Sequence, residues 1–401
     1  MDLSFFTNFN NNLVQQEAQL NVLQQQVSTG LAVQTPDQNP AAFETATLGG
    51  DQVAALTSDN NTQASIQVQL GSVNNAYQSI DGLLDNVQSI VEQALNGTTS
   101  TENLKALATQ VQSASQQLLS IGNTTSANGT FLFGGSRGNL APFQADGTGN
   151  IVYMGDGGQS QAAISPDSTA STIANGDVFT TALNGDGLSN VTASIANTGT
   201  GQILSQGVVN APAAAAFQSG SAPITVSFST TGAQTTFTAT QGGSTLATGP
   251  VSGDTTLQLA GMDYKITGAP ASGDSFTIAP SRPQSAFTLL QSISTALSTA
   301  GGTPAQVAQT NQMLNQSLAG LSQYQQAFVT AQAQNGVTLQ AIANAGTSNT
   351  NQSTQIQTND QNATAVNAPV AIANLDQTLT ALQAAMKTFG DVQSLSLFNF
   401  L

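Results

Sequence analysis

The sequence predicts a mainly α fold with a β-rich insert: a long antiparallel helical rod formed by the N- and C-terminal halves, with a small antiparallel β domain at its tip. Three observations carry that prediction. Apolar residues recur at alternating steps of three and four near both ends of the 401-residue chain, the spacing of a coiled-coil seam. Between about 140 and 281 this period gives way to short alternating segments set among Gly, Thr, Ser and Asp, the pattern of antiparallel strands. Neither helical half has enough apolar width to form a core alone, so the two must pack together.

The elements follow in order. The first helix covers Ser4 to Thr29 with Gly30 as its C-terminal stop. Its seam is Phe6, Phe9, Leu13, Leu20, Leu23 and Val27, interrupted only by Gln16. Two prolines in Thr35-Pro36-Asp37-Gln38-Asn39-Pro40 break the helix, and Asp37 reads as a turn residue rather than a ligand. A second helix runs from about Ala41 to Leu95 on the seam Ile66, Leu70, Val73, Tyr77, Ile80, Leu84, Val87, Val91 and Ala94. Asn96–Ser100 turns the chain, Ser100 or Thr101 caps the next helix, and Leu104, Leu107, Val111, Ala114, Leu118 and Ile121 form its apolar face.

The period then changes. Thr130-Phe131-Leu132-Phe133-Gly134-Gly135 reads as a strand ending in a turn. Ile224–Phe228, Thr235–Thr240, Thr255–Leu259 and Ser275–Ile278 are further strands. Helical spacing returns at Ser285, with Leu290, Ile293 and Leu297 before Gly301-Gly302. Pro304 opens a longer helix through Leu314, Leu318, Leu321 and Phe328. Asn344–Gln361 is polar and reads as a hinge or loose helix. Pro369 precedes the last seam, Ile372, Leu375, Leu379, Leu382, Met386 and Phe389. The expected domains are terminal coiled-coil segments at 1–35 and 365–401, a helical rod at 36–140 and 281–364, and an outer β-rich domain at 141–280. Each terminal stripe is too narrow to stand alone. Its partner is the other terminus, a neighbouring molecule, or both. Dilute monomer is expected to leave both ends disordered.

Composition narrows the function. Five basic residues face 21 acidic ones, for a formal charge of −16. Lys105, Arg137, Lys265, Arg282 and Lys387 are scattered, which argues against nucleic acid and anionic membrane surfaces as partners. The chain has no Cys, His or Trp. Thiol catalysis, imidazole acid–base chemistry and Cys/His zinc sites are therefore excluded. Asp146-Gly147 and Asn184-Gly185-Asp186-Gly187 lack the spaced carboxylates of a calcium loop and read as turns. No acidic pair sits in a recognisable catalytic motif. The expectation is a protein that is not an enzyme, with no catalytic, metal or cofactor-binding residues. No apolar run is long enough for a membrane span, and the N-terminus lacks the basic-then-apolar pattern of a cleaved signal peptide.

Four stretches carry a family resemblance. They are Val27-Ser28-Thr29-Gly30 with Pro36–Ala42; Phe131–Gly135 with Ala141-Pro142-Phe143; Gly268–Phe276 with its Gly273-Asp274 turn; and Ala381–Phe389 closing with Ser394–Phe398. In these the chain resembles the flagellin superfamily, most closely its hook–filament junction branch. Leu31 and Ala32 depart from it, standing where the family usually carries a basic residue.

The resemblance implies a structural adaptor of the bacterial flagellum that joins the hook, through hook-associated protein 1, to the flagellin filament. It implies a ring of like subunits with the terminal seams forming an inner tube. It further implies type III export without a cleaved signal, and an export chaperone acting on the C-terminal region. A flagellin-type filament subunit is the alternative in the same class. A secreted adhesin or fibre protein is the alternative in another.

Overall fold

The computed structural model describes residues 3–398 apart from 98 and 159. Thr98, in the expected turn, lies outside the described residues, and so do the side chains of Phe5 and of the closing Ser394–Phe398 motif. Among the described residues seven α-helices form: α1 (Leu3–Thr29), α2 (Pro40–Leu95), α3 (Thr101–Gly122), α4 (Ala211–Ser219), α5 (Ala286–Ser298), α6 (Pro304–Thr364) and α7 (Ala368–Phe398). The chain divides into two compact units. One comprises Met1–Gln63, Ile164–Ser168 and Ala343–Leu401, and the other Ala64–Ala163 and Thr169–Ile342.

In the first unit, local chemistry sets the helix ends. Gly30, at φ 73°, terminates α1 in the left-handed region that a Cβ disfavours. The Asn39 carboxamide accepts the Ala42 N–H at 3.2 Å, with Pro40 at the first helical position of α2. Asn367 accepts the Val370 N–H at 3.3 Å and starts α7 in the same way. The two breaks are tied together. Ala32 N–H donates to Thr364 C=O at 2.7 Å and Val366 N–H to Gly30 C=O at 2.9 Å, around an antiparallel bridge between Leu31 and Ala365.

The start of α2 and the end of α6 share a polar heptad. Ala42, Gly49, Leu56 and Gln63 are the buried positions of α2 here, seven apart. The Asp360 carboxylate fills the space a Cβ on Gly49 would need, and the Gln63 carboxamide does the same at Gly346. Asn349 is 1% exposed and donates to Asn60 at 3.3 Å and to Ile164 C=O at 3.0 Å. Gln63 donates to the same carbonyl. The expected hinge at Asn344–Gln361 is therefore not one: α6 is continuous through it. Its inward positions carry amides and a carboxylate that meet glycines and amides, so polarity there does not report disorder.

The second unit has two hydrophobic clusters. The helical one joins Val73, Ile80, Leu84, Val87 and Val91 of α2 to Leu104, Val111 and Leu118 of α3, Phe287, Leu290 and Ile293 of α5, and Leu314, Leu321 and Phe328 of α6. Ser100 caps α3 by accepting the Asn103 N–H. Thr130–Gly135 corrects the sequence reading, since it is turn and isolated bridge rather than strand. Its apolar run plugs the helical cluster. Leu132 and Phe133 are fully buried, and Phe133 lies edge-on to Phe179 at 5.2 Å. Phe179 in turn packs on Phe143 at 4.7 Å and Phe328 at 5.0 Å.

The β strands follow from short alternating sequence. Two hairpins come first: β1 (Phe143–Ala145) with β2 (Ile151–Tyr153), and β3 (Gln161–Ser165) with β4 (Ser168–Ser171), whose tip belongs to the first unit. Next come β5 (Ser189–Ala193), β6 (Gln202–Val208), β7 (Ile224–Thr231), β8 (Gln234–Gln241), β9 (Ser244–Val251), β10 (Thr255–Leu259), β11 (Met262–Thr267) and β12 (Ser275–Pro280). They build an antiparallel five-stranded sheet in the order β5-β12-β7-β8-β9 and a three-stranded sheet β10-β11-β6. Val191, Ile203, Val226, Phe228, Tyr264, Phe276 and Ile278 share their core with Phe217 of α4. The sequence reading had no helix here. The signals were present: Asn210 caps Ala213 N–H, Pro212 sits in the first turn, and an alanine run follows.

Glutamines of α6 close the sheet edges. Gln312, 1% exposed, accepts the Ile203 N–H and donates to the Ile203 C=O, both at 2.8 Å. Gln316 accepts the Val191 N–H at 3.2 Å, Gln309 donates to Asn197 C=O at 2.9 Å, and Gln323 to Asp186 C=O at 3.2 Å. A side-chain amide carries an acceptor oxygen with an N–H donor beside it, which matches the outward N–H and C=O of one strand residue. It therefore substitutes for the strand that an edge lacks. The Asp274 carboxylate of the Gly273-Asp274 turn is 1% exposed and accepts N–H groups from Thr198, Gly199 and Ala271, which fixes the loop between β5 and β6.

Candidate assembly seam

The terminal helices α1 and α7 pack against each other within the chain. The Phe9 and Phe389 rings stack at 4.8 Å with 7° between planes, and Phe6 meets Phe389 edge-on at 5.7 Å. Stacked and edge-to-face pairs add about 0.5–1.5 kcal/mol beyond area burial. With the Leu31–Ala365 bridge at the other end, these contacts make the pair antiparallel.

On α1 the inward positions are those of the predicted stripe. Phe6, Phe9, Leu13, Leu20 and Val27 are half-buried and Leu23 is buried. Gln16 is also half-buried in the stripe, with its Oε1 atom buried and lacking a hydrogen-bond partner among the described residues. On α7 the six predicted residues do not make one stripe. Leu375, Leu382 and Phe389 turn inward together with Ala371, Thr378 and Ala385. Ile372 and Met386 are 46% and 50% exposed, and Leu379 is half-buried between them.

Sequence reasoning missed the small inward residues because it followed large side chains only. Shifting the three-four pattern back by one residue at alternate steps recovers Ala371, Thr378 and Ala385. Ile372, Leu379 and Met386 then stand seven apart on the flank of α7. Among the described terminal residues outside the α2 and α6 helices, Leu23 and Ala371 are the only buried apolar side chains.

Charge is sparse. Among the described residues two ion pairs form, Lys265–Asp254 at 2.6 Å and Arg137–Asp156 at 3.9 Å. Hydrogen bonds from Ser136 hold the Asp156 carboxyl below the usual range, with Arg137 a smaller contribution. Bonds from Thr148 do the same for Asp146, closing the Asp146-Gly147 turn on itself. Among the described residues no three His, Cys, Asp or Glu side chains gather as metal ligands, and no helix is long and apolar enough to cross a membrane.

One unit is helical and built from the two chain ends, and the other combines a helical cluster with the β insert. Residues 4–137, about a third of the chain, match the bacterial flagellin N-terminal helical region. The chain is similar to flagellar hook-associated protein 3 of Escherichia coli strain K12, 32% identical over 123 residues, which are 30% of this chain and 38% of that protein. The matched part thus spans well under half of that curated relative. The crystal structure of FlgL from Xanthomonas campestris is 28% identical, covers 76% of this chain and 97% of its own, and superposes with a TM-score of 0.69. A hook-associated protein 3 from Legionella pneumophila, 24% identical, covers 78% of this chain and 97% of its own with a TM-score of 0.73, and shares the fold.

Proposed function

We propose that this chain is a structural subunit of the bacterial flagellum, an adaptor in the axial tube that joins hook-associated protein 1 to the flagellin filament as a ring of like subunits. One observation carries the reading. Among the described residues the α1–α7 pair buries only Leu23 and Ala371, at 8% and 4% exposure, and leaves Ile372, Leu379 and Met386 as a heptad-spaced flank. A two-helix pair this thin is marginal in water. Its core is completed by helices of neighbouring copies, so the ends order on assembly and stay loose in the dilute monomer. The N-terminal seam Phe6, Phe9, Leu13, Leu20, Leu23 and Val27 then holds the two ends of one chain together. On α7, Leu375, Leu382 and Phe389 serve that same purpose, and Ile372, Leu379 and Met386 serve the neighbours. Loose ends also suit passage through a type III export channel without a cleaved signal, with a chaperone on the C-terminal region until release.

Deleting residues 1–30, or 368–401, and scoring motility tests the reading. The expected result is normal hooks with filaments shed into the medium. Unchanged motility sinks it and favours an adhesin. Long homopolymers of the purified chain favour a filament subunit instead.

A further inference from the structure

The stretch where α2, over residues 40–63, faces α6, over residues 343–364, has almost no apolar core. Among the described residues, α2 buries only Ala42 and Leu56 as apolar side chains there. In the same stretch α6 buries none, only Asn349 and Thr364. Two helices joined by so little burial are marginal in water.

A third segment supplies what is missing. The tip of the β3–β4 hairpin, Ile164–Ser168, belongs to the same unit as these two stretches. Its Ile164 is 2% exposed, as deeply buried as Leu56. The Ile164 carbonyl accepts from the Asn349 carboxamide at 3.0 Å and from the Gln63 carboxamide. Those amides come from opposite helices and are 1% and 3% exposed. A carbonyl oxygen has two lone pairs, and both are used here. Asn349 has a second acceptor in Asn60 at 3.3 Å. The Gln63 amide donates to Ile164 alone among the described residues. The tip itself is pre-shaped, because Pro166 fixes its own φ in an exposed turn with Asp167.

We infer that the β3–β4 hairpin is a strap, and that α2 and α6 pair over 40–63 and 343–364 only while its tip is docked. Closing the helices without the Ile164 carbonyl would bury the Gln63 donor with no acceptor, which costs more than an ordinary hydrogen bond contributes. With the tip in place, the same two amides become a clasp. Leucines at these positions would zip unaided, whereas buried amides make closure conditional on the right partner. Gln63 and Asn349 stand 101 and 185 residues from Ile164 in sequence. Three distant segments therefore meet together or not at all. The helical cluster of Val87, Val111 and Leu321 lies in the other unit and keeps its own core when the strap opens. The Leu31–Ala365 bridge joins the terminal helices to the ends of the strapped stretch, so release of the tip also loosens the base that holds α1 and α7.

Hydrogen exchange of the purified full chain, read by mass spectrometry over 40–63, 343–364 and 80–94, tests the strap. Replacing residues 164–168 by two glycines removes the tip. The expected result is exchange roughly tenfold or more faster over the first two stretches, the factor for one buried donor losing its acceptor, with 80–94 unchanged. Adding Gln63→Met and Asn349→Leu to the shortened chain should return slow exchange, because apolar positions pair without the tip. Unchanged exchange after shortening overturns the strap, and so does faster exchange that this double change fails to slow. Full exchange of both stretches in the native chain overturns it as well. If 80–94 also speeds up in the shortened chain, Ile164→Ala, which keeps the hairpin, decides. Faster exchange confined to the two stretches then supports the strap, and unchanged or uniformly faster exchange overturns it.

Discussion

Replacing Gln312 by Ala should be among the most damaging single changes at the sheet edges. Its carboxamide pairs both backbone groups of Ile203, and both residues are buried. Those groups point away from β11, the strand partner of β6, so no ladder bond replaces them. Each unpaired buried group costs about 1–3 kcal/mol. Water entering the vacated space recovers part of this, leaving a loss of about 3 kcal/mol. For a unit of this size that is a fall of roughly 6–12 °C in Tm. Gln312→Glu separates shape from hydrogen bonding: it fills the same volume but turns an acceptor toward the Ile203 carbonyl, and should lose at least as much. Urea titration and calorimetry of the full chain measure both. A loss for Gln312→Ala below about 0.5 kcal/mol, the size of an ordinary surface change, would refute the edge-closing role.

Four further outcomes follow from particular contacts. Ser100→Ala, which removes the α3 cap, should cost about 1 kcal/mol, and Ser100→Asp should restore it; equal stabilities of all three in urea would contradict the cap. Gly49→Ala should fail to give the usual gain of about 0.5–1 kcal/mol for Gly to Ala in a helix, because the Asp360 carboxylate occupies the space. The double change with Asp360→Ala should recover that gain, and calorimetry showing Gly49→Ala alone stabilising would overturn the register. Gln16→Leu should raise the helicity and protease resistance of the termini by removing an unpaired buried amide oxygen; faster digestion than the native chain would count against it. Burial raises the hydroxyl pKa of Tyr77, Tyr264 and Tyr324, and that of Tyr153 from 10.0 to about 12. The unfolded chain therefore loses these protons first. The stability is fully present below about pH 10 and is lost as pH rises through the folded values. With no His in the chain, Tm should be level from about pH 6 to 9 and fall above 10; a steady decline across the neutral range would show another group in control.

The sequence by itself determined the helix ends, the strand-bearing insert and the resemblance to flagellin-type proteins. Gly30, Pro40, Ser100 and Pro304 act on their own backbone or on the nearest turn, so their effects are local and legible. The three-four period of α1 likewise needs no partner to be seen. Tertiary structure decided what each face meets. Leu132 and Phe133 read as strand because strand and buried plug use the same residues; only the waiting aromatic cluster distinguishes them. Asn344–Gln361 read as loose because its amides and carboxylate have no apolar signal, yet Asp360 meets Gly49, Asn349 meets Asn60 and Gly346 meets Gln63 of α2 in one antiparallel register. The last seam held two stripes in one list of large residues, and the direction of each side chain is set by α1, whose register no local pattern in α7 encodes. Side-chain facing is a property of pairs of elements, and a pair exists only once the chain has brought its two ends together.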